Sequence, residues 1–250
     1  MDSPSSYLRP SETLTLPARG WRTTPQQALI AAALCWLGFA VIAMLVLTDR
    51  LGTFDAAGLR YFRTGANLRS VGSPALLEAV RDWTMLGGAL VLNLIGLIAV
   101  AALLRVRLRR KASLLAATML SGWAANTLLK AMFARPRPTL VPHLTEFGGL
   151  SFPSGHSFNS AAVYLSIALV LASLSPQRWL RWSMIAGAAL ISALVALSRV
   201  WLGVHYPSDA LAGWLGGTAW ALTASALLYR PDRNLAQAAA PALEALTPEE

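Results

Sequence analysis

The sequence predicts an all-α polytopic membrane protein with six transmembrane helices. Three observations lead there. The 250 residues are 55% hydrophobic and 13% charged, with a mean hydropathy of +0.51; an ordinary soluble domain carries about 25% charged residues. The apolar residues are gathered in runs of roughly the 20 residues that cross a bilayer. The basic residues, 19 Arg among 21 in all, stand mostly between those runs, as juxtamembrane charges do.

The chain opens with a polar stretch of more than 25 residues, and its first apolar run is 28–48. That run is longer than the hydrophobic part of a cleaved signal peptide, so it reads as a retained helix. It carries Cys35, the single cysteine, which therefore has no intrachain disulfide partner and reads as a small buried side chain. The connection 49–84 is long. Asp55 to Arg63 suits a short interfacial helix, Gly65 and Gly72–Ser73–Pro74 punctuate the chain, and 75–82 suits a further short helix. A plain external loop and a substrate-access element are both open readings of it. The second run is 85–104. The third, 113–133, contains Asn126 and Lys130; the fourth, 157–175, contains Asn159 and Ser160. Those polar groups are expected to face protein, because an unpaired polar group in hydrocarbon costs several kcal/mol. The fifth run, 182–198, is short for a span. The sixth, 207–229, has Pro207 at its first turn, where a missing N–H costs nothing. From Asn234 the chain is rich in Ala, Pro and Glu and reads as a disordered tail over about 234–250. No repeat and no separate soluble unit is visible, so the expectation is one membrane-embedded domain over 1–250 with a helical core over about 28–229.

With six spans, Arg9, Arg19 and Arg22, the segment RVRLRRK at 105–111, Arg178 and Arg181, and Arg230 and Arg233 share one side. The positive-inside tendency makes it cytoplasmic and puts both termini there. The net charge of +9 is thereby accounted for, and no basic reading face for nucleic acid is seen. Lys130, Arg135, Arg137 and Arg199 fall on the other side and need a different reason.

Three clusters supply one. In the first, Lys130 precedes Arg135–Pro136–Arg137–Pro138. The prolines bias both arginines toward extended backbone, and a guanidinium pairs bidentately with an oxyanion; snorkelling cations are the plainer reading. In the second, Ser151 to His156 reads SFPSGH. Gly155 permits close approach to an anion, Ser154 either donates to it or caps the helix that follows, and the helix start favours negative charge. In the third, Ser198–Arg199 is followed by His205 and Asp209. The carboxylate lies where it can accept one ring N–H of His205, leaving the other nitrogen as a nucleophile; a favourable charge at a helix start is the plainer reading of Asp209. Two histidines then suit two roles, with His205 attacking phosphorus and His156 donating a proton to the leaving oxygen. Lys130, Arg137 and Arg199 would neutralise the charge that develops.

Together these residues resemble the type 2 phosphatidic acid phosphatase family, membrane lipid phosphate phosphatases that share a helical core with vanadium haloperoxidases. The likeness rests on Lys130 with Arg137–Pro138, on Pro153–Ser154–Gly155–His156, and on Ser198–Arg199 with His205 and Asp209. It directly covers 130–209. The resemblance implies hydrolysis of a phosphate ester or diphosphate without a metal or other cofactor. It implies a phosphohistidine on His205, Asp209 as its orienting partner, and His156 as general acid. Lys130, Arg137, Ser154, the Gly155 amide and Arg199 would bind phosphate. Arg135 and Ser198 would be supporting residues. The expected partner is a membrane lipid phosphate or diphosphate, with inorganic phosphate as product and no obligate protein partner. The expected place is a bacterial inner membrane, with the site facing the periplasm or exterior. That placement favours undecaprenyl diphosphate over phosphatidylglycerol phosphate or phosphatidic acid. Four rival readings use the same residues: a vanadate-dependent haloperoxidase; a metal hydrolase with His156, His205, Asp209 and His143 as ligands; a serine intramembrane protease; and an anionic-lipid transporter or scaffold.

Overall fold

The computed structural model describes residues 25–146 and 148–227. The polar N-terminal stretch up to residue 24 and the tail expected from Asn234 lie outside the described residues. So do Arg9, Arg19, Arg22, Arg230 and Arg233.

The first helix, α1, is Pro25–Leu47, and every residue from Ala28 to its end is uncharged and almost wholly apolar. The connection that follows is ordered. Helix α2 is Gly52–Tyr61, and strands β1 (Arg63–Thr64) and β2 (Arg69–Ser70) pair antiparallel, Arg63 opposite Ser70. Helix α3 is Pro74–Met85, whose Ser73 cap accepts from the Leu76 N–H with Pro74 in its first turn. The buried guanidinium of Arg63 donates to the carbonyls of Trp201 (2.8 Å) and Pro142 (3.1 Å), and Phe62 stacks on Trp201 with centroids 4.7 Å apart. Of the two readings of 49–84, the plain loop is therefore the one the structure corrects: α2, the hairpin and α3 form a fixed cover over one end of the bundle. The hairpin was not foreseen, because two-residue strands are too short to show alternation.

Helix α4 is Ala89–Arg105, α5 is Arg109–Phe133, α6 is Gly155–Ala172, α7 is Arg178–Trp201 and α8 is Pro207–Leu227. Each of the six predicted runs thus coincides with one long helix. The short run 182–198 lengthens at both ends, because Arg178 and Arg181 sit at the helix start and Arg199 is carried, buried, in its last turn. By length and composition α1, α5, α6 and α7 qualify as membrane-crossing, and α3 with α4, bent by 49° at their break, qualify together as a fifth. The sixth long helix, α8, falls below the same apolar standard. The reason is its surroundings: Ser208, Asp209, Gly213, Gly216 and Gly217 are buried in protein, so this helix does not need the lipid-facing residues that raise hydropathy.

Helix α6 is the central element. Its buried residues include Ser157, Asn159, Ser160 and Ser166, and Asn126 of α5 is buried beside it, as expected of polar groups that must avoid lipid. Helix α8 lies hard against α6. A methyl group at Gly213 would come 2.6 Å from the Ser154 carbonyl oxygen, and one at Gly217 would collide with the carbonyl of Phe158. Helix α1 closes the far side of α8, with Phe39 and Ala43 packed among Ala212 and Phe152. This packing brings the end of α5, the start of α6, the end of α7 and the start of α8 to one end of the bundle, beneath the cover.

Candidate active site

All three clusters meet at that end. Helix α5 stops at Ala134, which adopts φ 46° and lets its N–H bond the Lys130 carbonyl. This left-handed residue turns the chain sharply and separates Lys130, still on the helix, from Arg135 and Arg137 on extended backbone. Lys130 donates to the Leu150 carbonyl at 2.7 Å. A methyl group on Gly155 would stand 3.5 Å from Lys130 Cε and 3.3 Å from Asn126 Oδ1, so the start of α6 is pressed onto the lysine stem.

Ser154 is fully buried and caps α6, accepting from the Ser157 N–H and, at 2.9 Å, from the Ser157 hydroxyl. The capping reading therefore holds, and its own O–H is the bond left to aim elsewhere. His156 follows directly, as the second residue of α6. Its ring lies against the break between α3 and α4, where a methyl at Gly87 would come 3.2 Å from its Cδ2. Arg199, His205, Arg137 and Lys130 are all near enough for their charges to act on it. Arg199 is 3% exposed; one guanidinium nitrogen donates to Thr84 Oγ1 at 2.9 Å, and its Nε is buried with no partner among the described residues.

His205 is 1% exposed and sits just ahead of α8. Arg137 Nη1 lies 3.1 Å from its Nε2 and also donates to the Val204 carbonyl at 2.7 Å. A guanidinium has only donors, so Nε2 is the acceptor and the ring proton is on Nδ1. Nδ1 faces Asp209 Oδ2 at 3.5 Å and Ser151 Oγ at 3.4 Å. Burial pushes the imidazole down to about 3 against the opposing pull of Asp209, and Arg137 and Arg199 push the same way as burial. Burial thus favours the neutral ring, whose Nε2 lone pair is engaged by Arg137.

Asp209 is held on every side. Its Oδ1 accepts from Arg135 at 2.5 Å. Its Oδ2 accepts from the Tyr206 N–H at 3.0 Å and from the Ser151 hydroxyl. Arg135 also pairs with Asp55 at 2.7 Å and lies 4.1 Å above the Tyr206 ring. Burial opposes it, but Asp209 and Asp55 hold the Arg135 guanidinium above its usual pKa. The expectation that Arg135 and Arg137 both clamp one oxyanion is therefore corrected: the fork of Arg135 is occupied by two carboxylates. Ser198 also stands apart, because its hydroxyl bonds back to the Val195 carbonyl at 2.6 Å within α7. His143 faces the Pro138 carbonyl at 2.6 Å, and among the described residues no three His, Cys, Asp or Glu side chains gather as a metal-ligand group.

Sequence reasoning missed Ser151 between His205 and Asp209, Thr84 beneath Arg199, and Asp55 beneath Arg135. Ser151 was readable in principle, two residues before Pro153. Nothing in the sequence ties Thr84 to Arg199, 115 positions away, or Asp55 to Arg135, 80 positions away.

The frame and the site define a helical membrane protein with Lys130, Arg137 and Arg199 gathered about two histidines at one end of the bundle. The chain belongs to the PAP2 superfamily, whose family model matches residues 110–233. It is similar to a decaprenylphosphoryl-5-phosphoribose phosphatase of Mycobacterium tuberculosis, 30% identical over 62% of this chain and 82% of that protein. It is also similar to an undecaprenyl-diphosphatase of Bacillus subtilis, 32% identical over 38% of this chain and 46% of that one. The chain spans less than half the length of several further curated relatives that it matches. A crystal structure of a PAP2-type phosphatidylglycerolphosphate phosphatase from Bacillus subtilis superposes with a TM-score of 0.69 at 29% identity, over 77% of this chain and 93% of that one.

Proposed function

We propose that this protein hydrolyses a lipid phosphomonoester or diphosphate through a phosphohistidine on His205. The observation that carries the reading is the neutral His205, whose Nε2 lone pair points at Arg137 while its Nδ1–H faces Asp209. In the first step Nε2 attacks phosphorus, the bond from phosphorus to the lipid oxygen breaks, and His156 gives that oxygen a proton. In the second step His156 takes a proton from water, the water oxygen attacks phosphorus, the P–N bond breaks, and inorganic phosphate leaves. Asp209 stabilises the positive ring of the intermediate. Lys130, Arg137, Arg199, the Ser154 hydroxyl and the Gly155 amide hold the phosphoryl oxygens and offset their charge without a metal.

The substrate assigned first is undecaprenyl diphosphate. Two relatives named for polyprenyl-linked substrates support it, as does an outward-facing site in a bacterial inner membrane, the side that the arginine distribution favours. Phosphatidylglycerol phosphate is the second reading, because the superposing crystal structure is named for that lipid. Phosphate release by the purified protein, with excess EDTA, is measured on undecaprenyl diphosphate, phosphatidylglycerol phosphate and phosphatidic acid. Release by the parent, ranked by lipid and absent from His205→Ala, is the expected result. Equal release by both proteins overturns the assignment of the nucleophile.

A further inference from the structure

We propose that Asp55 is a positioning residue for the Asp209–His205 pair, acting through Arg135 and Ser208. The inference rests on the reading of His205 as nucleophile. Asp55 lies on α2, 80 positions before Arg135 and 153 before Ser208, yet it is 1% exposed. A carboxylate so buried must be paired and hydrogen-bonded to be tolerated. Asp55 Oδ1 accepts from the Ser208 N–H at 2.9 Å, and Oδ2 accepts from the Ser208 hydroxyl at 2.7 Å and from Arg135 Nη2 at 2.7 Å. Arg135 Nη1 reaches Asp209 Oδ1 and, at 2.8 Å, Ser208 Oγ.

Two consequences follow from this geometry. First, Asp55 supplies from another helix an acceptor for the Ser208 N–H in the first turn of α8, satisfying one of the N–H groups at that helix start with a favourable charge. That fixes the turn carrying Asp209. Second, Asp55 and Asp209 share one guanidinium, each taking one of its two terminal nitrogens. Without Asp55, both nitrogens are free to pair with Asp209 bidentately. The carboxylate would then be drawn toward Arg135 and away from Tyr206 N, Ser151 and His205 Nδ1. Asp55 therefore keeps Oδ2 facing the nucleophile while touching none of the reacting atoms.

The test uses the full chain in detergent, with phosphate release from undecaprenyl diphosphate and phosphatidylglycerol phosphate measured in parallel. Asp55→Asn keeps the shape and removes the charge; Arg135→Lys keeps the charge and removes the fork. Each is expected to lower kcat by about 10²-fold, the cost of a misplaced catalytic group, with KM within about threefold of the parent because uniform binding is untouched. The double variant is expected to be no slower than the slower single, since both break one linkage. A kcat within about twofold of the parent for either single variant, a loss confined to KM, or additive losses in the double each overturn the proposal. If Asp55→Asn does not fold, Arg135→Lys alone decides by the same criteria. A parent that releases no phosphate, or a His205→Ala variant that still does, overturns the underlying function instead, and the positioning role with it.

Discussion

Arg137 Nη1 stands 3.1 Å from His205 Nε2, on the nitrogen proposed to attack phosphorus. The resting nucleophile is thus covered by the cation that should later bind phosphate. The carbonyls of Gly148 and Gly149 hold its Nη2 and Nε, and the Val204 carbonyl shares Nη1 itself, so under the proposed function that one nitrogen passes from His205 Nε2 to a phosphoryl oxygen. Arg137→Lys, which loses the planar fork, is expected to raise KM and lower kcat together; a change in neither, by steady-state phosphate release, would falsify the hand-over.

Asp209→Asn removes the acceptor that holds the His205 tautomer. By analogy with other carboxylate–histidine–nucleophile systems, a fall in kcat on the order of 10⁴-fold is expected. Acid-quench trapping of radiolabelled phosphoenzyme should show slower formation. Unchanged formation would remove Asp209 from the chemistry.

Ser151 is the lesser partner of the same pair. Its hydroxyl donates to Asp209 Oδ2 and lies 3.4 Å from Nδ1. Ser151→Ala deletes one hydrogen bond to a charged group, worth about 1.5–3 kcal/mol, and a fall in kcat of about tenfold or more follows if that bond is made in the transition state. Steady-state kinetics decide it, and a parent-like kcat would make Ser151 a packing residue.

Thr84 anchors Arg199 from α3. Thr84→Val keeps the shape and drops the acceptor, leaving a buried guanidinium short of another partner. Weaker competitive inhibition by inorganic phosphate is expected, with kcat changed less than KM. Inhibition constants equal to those of the parent would detach Thr84 from the phosphate site.

The seam between α6 and α8 sets stability. Gly217→Ala places a methyl group against the Phe158 carbonyl, a backbone atom that has nowhere to go. Overpacking of this kind costs about 1–3 kcal/mol, which exceeds the gain of about 1 kcal/mol from alanine in a helix. A lower thermal midpoint in detergent is the expected outcome.

His205 also marks the dependence of stability on pH. A histidine in the unfolded chain takes a proton near pH 6.5, whereas burial holds the folded ring at about 3. Between those values the unfolded state binds the extra proton. The stabilisation is therefore complete above about pH 6.5 and is lost as pH falls toward 3. Thermal midpoints at stepped pH should show this decline, and His205→Asn should show a shallower one.

The helices and the pocket were legible in the sequence for different reasons. Long apolar runs announce long helices, and each of the six runs falls on one, although α8 lies below the apolar standard for crossing a membrane. The three clusters that the structure gathers at one end were legible because each lies within a dozen residues, close enough for spacing to carry meaning. Asp55 and Thr84 were not, because their partners Ser208 and Arg199 stand 153 and 115 positions away. Arg135 was visible but its direction was not: extended backbone between prolines does not say whether a guanidinium turns to substrate or to carboxylates.

The ion pairs around Arg135 also shape the charge of the candidate site. Asp55 is committed to that one arginine and to Ser208, and Asp209, shared between Arg135 and His205, offsets only part of the charge of Lys130 and Arg137. Under the proposed function, the surplus of positive charge there makes inorganic phosphate, the product, a good counterion for the site. Turnover would then be governed by how quickly the product is traded for the next headgroup. Ionic strength, by screening that attraction, becomes a control on speed rather than only on affinity.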